Sequence, residues 1–431
     1  MLRLVTEFDK AFGKDGSRVI RIMEGSTQEV MDVNDQKLNV AERSRLQRGM
    51  RKSNIHSTLI ELCSSDVAYE TTLWFKVFPN LLRMSSEICP FAVALTREKI
   101  CLRLSQMQKT IQAFADGSRS VPYSASEPGP ARSVGRLSST PHEVIIEQWK
   151  LYLIFACTTL THAGGQATLS APPNQHSRNP SKSSTGSSHG KVGSAADVFA
   201  LTIPFLGVSH AAIRDASVVG LGSINSNLYR ILLECLSPAV ASCHDEAKSR
   251  LGVHRRTMSS PRRNRKSDHY RTEITHVYKL TSHFLQSPEV YRDEWILNNV
   301  VNFTKELRIF LNDTEVQGEW EYQRLRIHYC GLMEELFEGI NRTKDPIRWM
   351  PFQARKAAFA LMEEWCGFSP NQTLISQRED AMEQSIIDRE TDYGNQKIVS
   401  SAVEAEKKEL KIAALGAMAT LCVSRNVLIC A

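Results

Sequence analysis

Two stretches of the chain place a histidine five residues, and an arginine three residues, before a serine. The first is His176-Ser177-Arg178-Asn179-Pro180-Ser181 and the second His254-Arg255-Arg256-Thr257-Met258-Ser259. Both sit among Ser, Pro, Gly and Arg, with few large apolar residues. An unfolded segment fits a protein-kinase cleft, where upstream basic groups meet acidic ones. His176 with Arg178, and His254 with Arg256, are therefore candidate kinase-recognition residues, and Ser181 and Ser259 are the candidate phosphate acceptors. Ser260-Pro261 makes Ser260 a further, proline-directed acceptor. Phosphate at Ser259 would offset part of a strongly positive neighbourhood, since 248–271 holds nine Lys and Arg. Such a run also attracts nucleic acid, an anionic membrane surface or an acidic partner. Tyr270 is its sole Phe, Tyr or Trp, so base stacking is not implied and nucleic acid is the weaker partner.

Chemistry of other kinds finds little support. There is no P-loop, GxSxG elbow, HExxH or kinase signature, and no cofactor-binding motif. Gly220-Leu221-Gly222 lies in a helical pattern and does not follow a strand. Glu334-Glu335 and Glu363-Glu364 are adjacent, so their carboxylates diverge around a helix. His328, beside Tyr329 and Cys330, reads as a satisfied core or interface histidine before it reads as a ligand or base. The ten cysteines form no CxxC pair and no zinc-ligand spacing with His, and most have apolar neighbours. They read as reduced core residues of an intracellular protein. One segment has the composition of a protein-binding anchor: Arg348 and Trp349 within Asp345-Pro346-Ile347-Arg348-Trp349-Met350-Pro351, a proline-bounded loop.

The elements that would position these residues are helices. Leu73, Trp74, Val77 and Leu81 recur at three- and four-residue steps, as do Val93, Ile100, Leu104, Met107, Ile111 and Phe114. Pro90 marks a helix start and Asp116-Gly117 a stop. A further apolar helix surrounds Trp149, Leu153 and Phe155. Past residue 272 one helix follows another, punctuated by Pro288, Gly318, Pro346, Pro351, Pro370 and Gly394. Strand-like alternation is nearly absent. The longest apolar run, 151–157, is far short of the ~20 residues that span a bilayer.

The expected layout is an N-terminal segment of uncertain order (1–52), helical repeats (53–115), a disordered linker (116–141), a helix (142–162), a second disordered linker (163–195), HEAT-like helices (196–247), a basic disordered linker (248–271), helical repeats (272–422) and an atypical tail (423–431). The linkers are too poor in large apolar residues to offset the entropy of ordering them. One local pattern recurs: a basic residue, a spacer, two small residues, then an apolar one. It occurs at Arg214, Arg355 and Lys411. It resembles the second helix of HEAT and armadillo repeats, so the fold class is an all-α, HEAT/armadillo-like helical-repeat solenoid segment with disordered insertions.

A family resemblance rests on longer runs. These are Ser282-His283-Phe284-Leu285-Gln286-Ser287-Pro288-Glu289-Val290-Tyr291 through Asp293-Glu294-Trp295-Ile296-Leu297-Asn298-Asn299, His328-Tyr329-Cys330-Gly331-Leu332-Met333-Glu334-Glu335-Leu336-Phe337, and Arg348-Trp349-Met350-Pro351-Phe352-Gln353-Ala354-Arg355-Lys356. They resemble the N-terminal region of the Furry family, specifically its fungal cell-morphogenesis members, over roughly 53–422. The resemblance implies a very large, non-catalytic scaffold of polarised growth and cell separation. It implies an NDR-family kinase with its Mob coactivator as partner, no cofactor or small-molecule substrate, and a cytoplasmic location at the cortex or at sites of polarised growth. The H-x-R-x-x-S spacing likewise resembles the substrate pattern of NDR/LATS-type kinases. Against such scaffolds the chain is short and reads as a fragment, whose apolar end is expected to promote self-association. The alternative reading is a nucleic-acid- or membrane-surface-binding helical protein acting through 248–271.

Overall fold

The computed structural model describes residues 40–52, 65, 68–88, 90–117, 142–160, 193–257, 265–317, 319–368, 377, 380, 381, 384 and 393–422. Residues 118–141, 161–192, 258–264 and 423–431, which carry most of the expected linkers and the tail, lie outside them. Every regular element among the described residues is helical, as the periodicity predicts. In chain order they are α1 (Val40–Lys52), α2 (Ala68–Ile88), α3 (Pro90–Ala115), α4 (His142–Thr159), α5 (Ala195–Thr202), α6 (Ala211–Gly222), α7 (Tyr229–Thr257), α8 (Arg265–Thr281), α9 (Pro288–Tyr291), α10 (Glu294–Leu311), α11 (Thr314–Gln317), α12 (Gln323–Asn341), α13 (Pro346–Trp349), α14 (Phe352–Cys366) and α15 (Tyr393–Cys422). Short 3₁₀ turns separate several of them.

The chain divides into two compact units. The first comprises the described residues within Met1–Gln112, Pro122–Val198 and Ser223–Asn225. Here α2 packs on α4, burying Leu73, Trp74, Val77 and Leu81 from one side and Ile146, Trp149 and Leu153 from the other. The apolar spacing read from the sequence is thus the core face. Two ion pairs tie α1 to α2: Arg45 to Glu70 at 2.6 Å and Lys76 to Glu42 at 2.8 Å. Arg83 closes the unit by donating to Asn225 Oδ1 (2.8 Å) and to the carbonyls of Ser223 and Ile224. Pro90 opens α3 and Asp116-Gly117 turns the chain after it, as expected.

The second unit comprises the described residues within Ala113–Val121, Phe199–Gly222 and Ser226–Ala431. Its helices pack in succession: α8 on α6, α12 on α8, and α15 on α12 and α14. Helix α12 is the centre, with most of its residues buried, from Leu325 through Ile340. Close approach explains two glycines of this unit, Gly222 at the end of α6 and Gly339 on α12. A Cβ at Gly222 would lie 2.7 Å from Leu280 Cδ1, and one at Gly339 would lie 2.8 Å from the Leu285 carbonyl oxygen. Gly222, one of the glycines of the G-x-G run, thus has a packing role. Gly394 stands at the start of α15, in its first turn.

The structure also uncovers a repeat that small-residue counting passes over. Leu201-Thr202-x-x-Phe205-Leu206 and Leu280-Thr281-x-x-Phe284-Leu285 each end a helix and enter a 3₁₀ turn, Ile203–Gly207 and Ser282–Gln286. In both copies Phe and Leu are buried and an extended residue follows, Val208 or Ser287, whose N–H donates to the Phe carbonyl. In both, a helix from further along the chain packs on the turn: α8 on the first and α12 on the second. The basic–small–small pattern itself lands on α6, α14 and α15, but its basic residues do not behave alike. Arg214 is buried, donates to the carbonyls of Val208 (2.8 Å) and Ser209 (2.7 Å), and reaches Glu273 on α8 at 3.4 Å. Arg355 donates to the Met350 carbonyl, and Lys411 is exposed.

The basic stretch 248–271 differs from its expected linker. Helix α7 continues to Thr257 and α8 begins at Arg265. Arg271 is 4% exposed, donates to the Cys243 carbonyl and to Glu246 (2.8 and 2.9 Å), and stacks on Phe310 at 4.0 Å. A residue counted as part of a solvated charge run is therefore a core residue, because its neighbours supply acceptors and an aromatic face.

Candidate functional site

The residues singled out for phosphorylation are not brought into a described site. Ser259, Ser260, Ser181, His176 and Arg178 lie outside the described residues. His254 and Arg256 fall in the last turns of α7. Arg348 and Trp349, by contrast, line a defined surface groove.

Two helix starts build it. Asp293 N-caps α10, its Oδ1 accepting from the N–H of Trp295 (2.9 Å) and of Ile296 (3.2 Å). Asp345 N-caps α13, accepting from Arg348 N–H at 3.2 Å, with Pro346 in the first helical position. The segment expected to be a loop is therefore a single helical turn. Buried Pro346 and Met350 anchor it, and it packs on α10 and α12.

This turn holds Arg348 against α10. Its two Nη groups donate to the two Glu294 carboxylate oxygens at 2.9 and 3.1 Å, and the guanidinium lies 5.0 Å from the Trp349 ring centre. Glu294 holds the Arg348 guanidinium more firmly protonated than usual. A second unit of the same kind stands beside it. Arg230 lies 5.1 Å from the Trp295 ring centre and pairs with Asp293 and Glu234, both at 3.0 Å. Glu294, Trp295, Asn298, Val301, Arg348 and Trp349 line an open groove of about 310 Å³. Arg348 and Glu294 remain 57% and 66% exposed, and Ile347 and Phe352 stand out beside them. Half-buried tryptophans flanked by guanidinium and carboxylate groups offer apolar contact and directed hydrogen bonds to a protein partner. Trp295, Glu294 and Arg230 escaped the sequence reading. The signal for Trp295 was its place in the first turn of α10, two residues after the acidic N-cap Asp293.

The interior chemistry is inert or structural. Cys101, Cys157, Cys243, Cys330 and Cys366 are buried free thiols, and burial raises the pKa of each. His328 is buried, but it is not the satisfied core histidine expected. Neither ring nitrogen has a hydrogen-bond partner, and the ring stacks on His276 at 4.0 Å. Among the described residues no cluster of His, Cys, Asp or Glu is placed to hold a metal ion, and no helix is long and apolar enough to cross a membrane.

Successive helical layers and a repeated helix–3₁₀ junction define an all-α helical-repeat protein. No protein-family profile matches the chain, and no solved structure does. Two curated proteins do. The cell morphogenesis protein PAG1 of Saccharomyces cerevisiae is 28% identical over 445 residues, covering 98% of this chain and 17% of that protein. The cell polarity protein mor2 of Schizosaccharomyces pombe is 26% identical over 418 residues, covering 94% and 18%. The chain is a homologue of these Furry-family cell-morphogenesis proteins, and it spans less than a fifth of the length of either.

Proposed function

We propose that the chain is a non-catalytic scaffold segment acting in fungal cell morphogenesis and polarised growth, at the cortex or other sites of growth. The observation that carries this reading is similarity along nearly the whole chain to one protein named for cell morphogenesis and another named for cell polarity. On this reading the helical layers form part of a HEAT/armadillo-like solenoid and carry a docking surface instead of an active site. The partner is an NDR-family kinase with its Mob coactivator, and the groove of Trp295, Arg348 and Trp349 is where it, or a segment of it, docks. The H-x-R-x-x-S serines, Ser259 and Ser181, with Ser260 beside them, receive phosphate and so regulate the scaffold.

The test is a pull-down of purified kinase–Mob complex on the immobilised chain, with an Arg348→Glu/Trp349→Ala variant alongside. Binding to the chain and its loss in the variant, with helical content unchanged, are expected. Absence of binding both here and in the longer protein that contains the segment rejects the scaffold partner. Binding that the variant retains rejects the groove alone. For the serines, a kinase assay should phosphorylate Ser259 and Ser181, and His254→Ala or His176→Ala should weaken it; equal incorporation refutes the motif.

A further inference from the structure

A stacked pair of imidazoles, one buried and one partly buried, joins α8 to α12. The rings of His276 and His328 lie face to face, 4.0 Å between centres and 10° from parallel. His328 is 8% exposed, and neither its Nδ1 nor its Nε2 has a hydrogen-bond partner. A neutral imidazole always carries one N–H, so the folded state holds one buried donor unmade, at a cost that a well-packed apolar ring would avoid. The partner ring is little better served. The Nδ1 of His276 makes no hydrogen bond, and its nearest acid is Glu273 Oε2 at 3.7 Å.

The surroundings decide what this pair can do. On α8 stand Glu273 and Lys279, and on α12 Arg324 and Glu334. Arg214 reaches in from α6 and occupies Glu273 at 3.4 Å. Glu406 of α15 acts on Arg324, and Arg308 of α10 acts on Tyr329, next in the chain to His328. Glu334 has Lys279 beside it. His328 itself therefore faces cations, Arg324 and Lys279, and a second histidine. Burial first, and these neighbours second, push its pKa down to about 2. The closed joint has no place for a proton on His328, whereas any state that parts α8 from α12 takes one near the ordinary histidine value of about 6.5.

We propose that the His276–His328 stack is an acid-sensitive joint in the helical stack, closed at neutral pH and opened by proton uptake on His328 below it. Opening releases α12 together with the helices that pack on it, α15 and α13, and α13 carries one wall of the tryptophan groove. The joint thereby couples proton concentration to the order of a surface about which the packing of α12 is otherwise decisive.

One proton taken up on opening makes the open population rise about tenfold between pH 7.5 and pH 5.5. Amide hydrogen exchange of α8 and α12 in the full chain, corrected for the intrinsic rate at each pH, reads that population. The wild type should show the tenfold gain and His328→Phe, which keeps an aromatic ring against His276 but binds no proton, should not. His276→Phe should retain the gain, because His328 stays excluded from water. An equal gain in wild type and His328→Phe overturns the proposal. Should His328→Phe fail to fold, nuclear magnetic resonance of the histidine rings in the wild type decides. A His328 ring that stays neutral in the folded chain down to pH 5 upholds the joint, and one that titrates near 6.5 without loss of structure overturns it.

Discussion

Arginine serves two purposes in this chain, and the difference between them is burial. Arg326 is 4% exposed and donates to Gln323 Oε1 at 2.7 Å and to the carbonyls of Val316, Gln317 and Glu319 at 2.9–3.2 Å. It binds together the turns between α10 and α12. Arg271 and Arg214 do the same for α7 with α8 and for the first 3₁₀ junction. Arg348 and Arg230 make equally short bonds, yet they stand half or more in solvent beside tryptophans. A guanidinium locked inside the fold is unavailable to a partner. One held by an exposed carboxylate is ordered in advance and weakly committed, because water screens such a pair. The contrast separates architecture from recognition.

The largest predicted effect breaks the architectural side. Arg326→Ala removes the buried donor shared by the Val316, Gln317 and Glu319 carbonyls and should lower stability by about 3 kcal/mol in urea unfolding. A loss below about 1 kcal/mol would place those carbonyls in contact with water. Gly339→Ala drives a Cβ against the Leu285 carbonyl and should cost about 2 kcal/mol, since backbone cannot give way as a side chain can. An unchanged unfolding midpoint would mean that α12 does not press on the second 3₁₀ turn as described.

A gain should come from the stacked histidines. His328→Phe removes a buried donor without a partner and should raise stability at pH 7.5 by about 1 kcal/mol. The wild type has a pH profile of definite sign. The folded pKa of His328 lies far below the unfolded value, so between the two only the unfolded chain holds the proton. Its stability is therefore full above about pH 6.5 and falls as the pH drops below that. Glu273, whose pKa is also lowered, adds its own loss only at lower pH, near the usual carboxylate range. Stability that rises on acidification from pH 7 to pH 5.5 would contradict the attribution to His328. The smallest structural effect belongs to the groove: Arg348→Ala should leave the melting temperature unchanged.

Much of this was legible in the residues. The core positions of α2, α3 and α4 follow from their spacing, because three- and four-residue steps have few other uses. Pro90, Pro288 and Pro346 start helices where proline tolerates its missing N–H. Charge misled the boundary at 248–271, since composition cannot tell that Arg271 will find Glu246, a carbonyl and Phe310. Arg348 and Trp349 stood out as an exposed pair in a proline frame, but their partners Glu294 and Trp295 come from a helix more than fifty residues away. That neighbourhood exists only after α10 and α13 have packed. The repeated Leu-Thr-x-x-Phe-Leu junction was visible in principle. What recurs is a pair of large residues entering a 3₁₀ turn, a signal separate from the small residues of the basic–small–small pattern.

On the proposed function, the exposed arginine–tryptophan groove recognises a partner while the buried arginines only hold the fold. Binding of the kinase–Mob complex to the wild-type chain and to Trp349→Ala/Arg348→Glu, each with its melting temperature measured, tests it most directly. Loss of binding by at least tenfold at an unchanged melting temperature is the predicted result. Undiminished binding by the folded variant would contradict it.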